Sequence, residues 1–197
     1  MILIGLTGGF ATGKSTLAKF FKKKGAAFLS ADRIYHELLL KDSFLKRSLV
    51  EKFGKDILQQ GRVSRRKLKQ RLLNNPGRSD LKALSRIVHP YIIKHLKKRI
   101  ASYEKKAEVL IVEVPLLFEA KLDRLFDKIT LVNCPLKLQL KRAIESGYTK
   151  KQVINLIREQ LPLEKKIKRA DFVIENTGTL KELKKKADVL YQKIIGS

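Results

Sequence analysis

The residues best suited to chemistry stand near the start of the chain: Gly8-Gly9-Phe10-Ala11-Thr12-Gly13-Lys14-Ser15, followed by Thr16. Their spacing is G-x-x-x-x-G-K-[ST], the pattern of a phosphate-binding loop. Glycines let backbone N–H groups turn inward around phosphate oxygens with no Cβ in the way. A helix opening at about Lys14 adds the positive end of its dipole. In such a loop Lys14 reaches the outer phosphates of a nucleoside triphosphate, and the Ser15 hydroxyl ligates Mg²⁺. The alternative is a glycine-rich turn with a solvated lysine. The flanks argue against it: Ile2–Leu6 is an apolar run of buried-strand type, and Leu17, Phe20 and Phe21 recur at helical spacing.

Further strands are needed to hold such a loop, and the chain supplies them. Ala26–Ser30, Val109–Val114, Lys128–Val132 and Asp171–Ile174 are short and apolar, with little polar alternation. That argues for parallel strands covered on both faces. Helical stretches fill the gaps. The last of them aligns Leu180, Leu183, Ala187, Leu190, Tyr191 and Ile194, behind a capping box of Thr179 and Glu182. The expected fold is a doubly wound α/β domain with a five-stranded parallel sheet flanked by helices.

Two intervals exceed a minimal strand–helix alternation. Residues 32–108 read as helices only: Ile34, Leu38 and Leu39 share a face, as do Leu68, Leu72 and Leu73, and Leu81, Leu84, Ile87 and Val88 lead into His89-Pro90. So much helix between two core strands implies a helical subdomain for the acceptor substrate. The second interval, Pro135–Ala170, has helices around Lys137–Glu145 and Thr149–Gln160. It carries Lys137, Lys141, Arg142, Lys150, Lys151 and Arg158. It reads as a lid able to close over phosphates, or else as two ordinary surface helices. The expected organisation is one domain over 1–197. Its nucleotide core is 1–31, 109–135 and 170–197, its acceptor subdomain 32–108 and its lid 136–169.

Composition narrows the class. A chain of 197 residues with 44% hydrophobic content can build one α/β core plus an insertion. No apolar run approaches membrane-spanning length and no signal-peptide layout precedes the first strand, so a cytoplasmic location is expected. Cys134 is the only cysteine, which excludes an internal disulfide and suits a structural thiol. The net charge of +25 suggests affinity for polyanions, either phosphorylated small molecules or nucleic acid. The lysines are spread over nearly every expected helix, as solvation requires, so nucleic acid is not the expected partner.

In a parallel sheet, ligands gather at the carboxyl ends of the strands. Asp32 ends the second strand there. It reads as a base that orients and deprotonates an acceptor hydroxyl, or as the N-cap of the helix that follows. Glu113, in the third strand, could hold Mg²⁺ through water or stand behind its ligands. Pro115-Leu116-Leu117-Phe118-Glu119 comes next, and on composition a leucine–phenylalanine pair at a strand end packs. His89, before Pro90, reads as a histidine at a helix break, in the core or at its edge.

Together these segments resemble the dephospho-coenzyme A kinase family. The resemblance rests on Gly5-Leu6-Thr7-Gly8-Gly9 with Thr12-Gly13-Lys14-Ser15-Thr16, on Ala31-Asp32, and on Ile87-Val88-His89-Pro90. It rests also on Glu113-Val114-Pro115-Leu116-Leu117-Phe118-Glu119 and on Arg169-Ala170-Asp171-Phe172-Val173-Ile174-Glu175-Asn176-Thr177-Gly178. It covers essentially the whole chain, and the last two segments are its most particular part. It implies a P-loop kinase fold with a coenzyme A subdomain and a lid. The implied reaction is ATP-dependent phosphorylation of the ribose 3′-hydroxyl of dephospho-coenzyme A, the last step of coenzyme A synthesis; a cytoplasmic monomer using Mg²⁺ with ATP is the expected form. Asp32 matches the catalytic base, and residues Ala11 to Thr16 match the ATP-phosphate loop. His89, Leu116, Phe118 and Glu119 match positions lining the acceptor, and Asn176 and Gly178 match the region near the adenine. Arg142 is the implied lid arginine.

The lid departs from the family pattern. Where the family usually shows Gln-x-x-Arg-Leu-x-x-Arg, Gln139 and Arg142 fit, but Ala143 replaces the leucine and Glu145 the second arginine. Leu156 stands where an arginine often precedes Gln160 by four residues. Glu145 should therefore point away, pair with Lys141 on its own helix, or weaken the clamping of ATP. Three other readings stay open: a kinase of another small molecule, a basic nucleic-acid-binding P-loop protein, and a family member that only binds its ligands.

Overall fold

The apolar runs become the strands of the computed structural model, which describes residues 1–74 and 78–196 but not the side chains of 73, 74, 78, 79 and 81. Leu73 and Leu81, expected on apolar helix faces, are among those undescribed side chains. The strands are β1 (Ile2–Gly8), β2 (Ala27–Ser30), β3 (Leu58–Gln59), β4 (Arg62–Val63), β5 (Val109–Glu113), β6 (Lys128–Asn133) and β7 (Phe172–Glu175). The helices are α1 (Lys14–Lys23), α2 (Ala31–Lys41), α3 (Ser43–Phe53), α4 (Arg65–Asn74) and α5 (Arg78–Ala101), then α6 (Leu136–Glu145), α7 (Lys150–Arg158), α8 (Leu163–Ile167) and α9 (Leu180–Ile195). They form two compact units: residues 1–30 with 102–197, and residues 31–101.

The first unit holds the five-stranded sheet, in the order β2-β5-β1-β6-β7 with every pairing parallel. The strand bearing the phosphate loop is thus central, and Ile4 and Leu6 within it are fully buried. On one face, Leu17 and Phe21 of α1 join Leu183, Ala187, Leu190, Tyr191 and Ile194 of α9 in a single core cluster. Burying side chains of this size is worth about 1.5–3 kcal/mol each. Both halves of the Thr179–Glu182 capping box are formed at the start of α9. At Gly5 the backbone is closely approached: a Cβ there would lie 2.7 Å from Leu117 Cδ1 and 2.9 Å from the Phe126 ring.

In the second unit α2 and α3 pack against α5. Leu45, Leu49, Ile57, Leu68 and Leu96 are deeply buried, and a Glu37–Arg99 ion pair ties α2 to α5. Two expectations fail in this unit. Residues 32–108 are not purely helical, because β3 and β4 form a short antiparallel hairpin. Its turn residues, Gln60 and Gly61, both have positive φ (49° and 72°), as a tight hairpin turn requires. Gln at the first of these positions is a weak turn signal. Nor does the helix break at His89-Pro90, since Pro90 lies inside α5. A proline there removes one backbone hydrogen bond and crowds the preceding turn. Burial of Val88 before it and of Leu96 and Ile100 after it holds the helix together.

Residues 136–169 hold α6 and α7 where helices were expected, and also the short α8 after Pro162. Sheet boundaries shift by a residue or two; β1 runs on to Gly8. Replacing Gly5 with alanine should lower stability by about 1–3 kcal/mol, because Leu117 and Phe126 are buried and must both give way. Thermal or urea unfolding of Gly5→Ala checks this, and an unchanged midpoint would show that the pair can move freely.

Candidate active site

The phosphate loop is braced from behind. Gly13, the residue before α1, has φ 97°, and a Cβ on it would lie 2.3 Å from Asn176 Nδ2, so only glycine supplies both the conformation and the room. The Asn176 amide donates to the Thr12 carbonyl at 2.8 Å. Asn176 is itself held, its N–H donating to Asn133 O at 2.7 Å. Thr12 Oγ1 closes the loop internally on Gly9 O at 2.9 Å. On the other side Gln139 of α6 donates to Cys134 O at 2.9 Å and packs so close to Gly9 that a Cβ there would meet its Oε1 at 3.0 Å.

Inside the loop, the buried Lys14 donates to Gly9 O at 2.7 Å and to Gly8 O at 3.2 Å. The ammonium therefore lies folded along the loop at the start of α1. Ser15 Oγ donates to Glu113 Oε1 at 2.8 Å, which brings a hydroxyl at the start of α1 against a buried carboxylate at the end of β5. These are hard oxygen ligands. Among the described residues no group of three or more His, Cys, Asp or Glu could hold a metal. Mg²⁺ usually takes one or two protein oxygens and completes its shell with water and substrate phosphates, so this donor set fits it.

Arg142 of α6 is half-buried and donates from Nη2 to the Asn176 carbonyl at 3.1 Å. With Gly13, Thr16, Asn176 and Gly178 it lines a cavity of about 220 Å³. Its Nη1 is buried with no hydrogen-bond partner among the described residues. Cys134 nearby is buried, and that burial pushes its thiol above the ordinary range, so it stays protonated and unreactive.

The segment after β5 is divided in its roles. Phe118 is buried, with the Arg169 guanidinium 4.6 Å from its ring centre, whereas Leu116 is half-buried. Glu119 Oε1 accepts from Leu161 N–H at 2.8 Å and forms an ion pair with Lys166 Nζ at 2.7 Å. Lys166 is 1% exposed. Phe118, Glu119, Lys121, Arg124 and Arg169 line a cavity of about 600 Å³.

Asp32 and His89 belong to the second unit. Asp32 is exposed in the first turn of α2, which begins at Ala31; it is therefore a helical residue and not the N-cap. One turn on, Arg65 lies 3.2 Å from His36 Nδ1. A guanidinium can only donate, so Nδ1 accepts and the proton sits on Nε2. Burial, then the Arg65 charge, holds His36 below the usual imidazole range. Burial does the same to the half-buried His89, which is neutral.

The model of the dephospho-CoA kinase family matches residues 2–182. The dephospho-CoA kinase of Carboxydothermus hydrogenoformans is 36% identical over 194 residues, covering 97% of this chain and 93% of that protein. A crystal structure from Thermus thermophilus superposes with a TM-score of 0.79 at 30% identity, over 98% of this chain and 97% of that one. A dephospho-CoA kinase from Campylobacter jejuni superposes at 0.73 and 26% identity, over 98% of each chain. The chain belongs to the dephospho-CoA kinase family.

Within that family this member's departures have a defined place. Glu145, the last residue of α6, is exposed and makes no ion pair with Lys141 among the described residues. Leu156 is likewise exposed on α7. Sequence reasoning missed Lys166, because nothing local distinguishes it from the other lysines and arginines, 44 in all. It also missed the bracing role of Asn176. Removing that amide leaves the Thr12 carbonyl without its buried donor, a cost of about 1–3 kcal/mol. Asn176→Ala should therefore raise the ATP dissociation constant roughly tenfold by calorimetry, with the melting temperature showing that the sheet survives.

Proposed function

We propose that the chain transfers the γ-phosphoryl group of ATP to the ribose 3′-hydroxyl of dephospho-coenzyme A, the last step of coenzyme A synthesis. The observation that carries this is the braced phosphate loop, with Lys14 inside it and Ser15 on Glu113, in a chain of the dephospho-CoA kinase family. The reaction forms a bond from the 3′-oxygen to the γ-phosphorus and breaks the bond to the β–γ bridging oxygen. ADP leaves, and the hydroxyl proton passes to a carboxylate.

In this reading the amides of Gly8, Gly9 and Ala11 through Thr16 cradle the phosphates. Lys14 leaves its loop carbonyls for the β- and γ-phosphate oxygens, where charge builds in the transition state. Ser15 would hold Mg²⁺, with Glu113 reaching it through water, and the ion would supply further neutralisation of that charge. Asp32 is the base. Its support is its position at the end of β2, an exposed carboxylate within a first helical turn, available to a hydroxyl. Asn176 and Gly178 flank the adenine, and Arg142 acts from the segment 136–169, which serves as the lid. Residues 32–108 hold the acceptor, with His89, Leu116, Phe118 and Glu119 as contacts. Lid closure excludes water, which would otherwise compete for the phosphoryl group. No helix among the described residues is long and apolar enough to cross a membrane, and the reading includes a cytoplasmic monomer.

Mass spectrometry after incubation with Mg·ATP should show one phosphoryl group added to dephospho-coenzyme A, and none to adenosine or pantetheine phosphate. Phosphorylation of a control acceptor instead would overturn the assignment. Asp32→Asn should lower kcat by about 10²–10⁴-fold while leaving ATP affinity nearly intact. A variant that keeps most of its turnover would remove Asp32 from its role.

A further inference from the structure

The phosphate loop contains one residue under backbone strain. Ala11 has φ 56°, a left-handed conformation that an L side chain resists. Its neighbour Phe10 is half-buried, and the Phe10 ring meets that of Tyr148 edge-on, with centroids 5.0 Å apart and planes at 76°. Edge-to-face pairs at this separation attract beyond the area they bury. Tyr148 comes from the connection between α6 and α7, so this contact joins the nucleotide loop directly to the helical segment 136–169.

Tyr148 is itself held on both sides by its backbone. Before it, α6 ends with Gly147 at φ 87°; Gly147 N–H donates to Ile144 O at 2.9 Å and Tyr148 N–H to Ala143 O at 3.1 Å. This is the reciprocal closure of a helix by a left-handed glycine. After it, Thr149 and Gln152 form a complete capping box at the start of α7. A residue between two helix caps has little backbone freedom, so the point from which its ring projects is fixed.

We infer that Tyr148 is a positioning residue for the phosphate loop: its ring holds Phe10 and so keeps Ala11 in the left-handed conformation that turns the loop amides inward. The inference rests on the reading of this loop as the ATP site. It adds a physical link between the lid segment and the loop that needs neither charge nor the acceptor. The segment 136–169 then affects ATP binding through packing at Phe10, separately from Arg142.

The test measures ATP binding directly, by calorimetry with Mg·ATP and no acceptor, so that failure of the acceptor assignment leaves it intact. Tyr148→Ala should weaken ATP binding by about three- to tenfold, with the melting temperature confirming a folded chain. Tyr148→Phe, which keeps the ring, should recover the affinity. Ala11→Gly, added to Tyr148→Ala, should recover most of the loss, because glycine adopts the left-handed conformation without help. Wild-type affinity in Tyr148→Ala would overturn the inference. So would a loss that Ala11→Gly does not reduce, since the ring would then be acting on something other than the strained turn. A loss equally large in Tyr148→Phe would assign the effect to the hydroxyl and also overturn it.

Discussion

The hydrogen bond from the Asn176 amide to the Thr12 carbonyl is the constraint on which the site depends. A loop that binds phosphate through its own N–H groups must keep them pointed inward, and its carbonyls must then find donors elsewhere. Asn176 supplies one such donor at the point where the loop becomes helix, and Gly13 leaves it the space. Asn176 in turn is fixed by the sheet, because its N–H reaches Asn133 at the end of β6. The closing strand of the sheet thus sets the shape of the loop after the opening strand. Arg142 attaches to the same residue, on its carbonyl, so helix α6 joins the loop and the sheet at one point.

Charge is used sparingly within a chain whose formal excess is +25. Lysines and arginines on exposed helix faces contribute little each, since surface pairs are worth at most about 1 kcal/mol. Lys166 differs because it is almost wholly out of water and lies against Glu119. Removing one partner of a buried pair leaves the other uncompensated, at about 3–5 kcal/mol. The pair ties α8 to the segment after β5, where the larger cavity opens. Lys14 is also buried, and its ammonium is held on the carbonyls of its own loop.

The candidate groups fall in both units. The sheet unit carries the loop after β1, Lys14 and Ser15 at the start of α1, Glu113 at the end of β5 and Arg142 in α6, at the carboxyl ends of parallel strands where open α/β sheets gather ligands. The helical unit carries the exposed Asp32 and an arginine-bound, neutral His36 on the same helix. A phosphoryl transfer depends chiefly on position and electrostatics. The rigidity of each set of groups therefore matters more than any single strong base.

Much of this was legible in the chain. The loop pattern, the strand runs and the Thr179–Glu182 cap are written in neighbouring residues, and local chemistry suffices to read them. Its place at the end of a strand singled out Asp32, and family resemblance extended the reading to Arg142 and Asn176 as positions, though not to what their side chains touch. Tertiary structure decided what proximity in sequence cannot. Asn176 meets Thr12 across 164 residues, and Lys166 is singled out from its many equivalents by a carboxylate in another segment. Pro90 stays helical because packing on both sides outweighs one lost hydrogen bond. Gln60 turns a hairpin because the strands on either side pair. In each case the deciding energy comes from burial and from partners distant in the chain, which no window of adjacent residues contains.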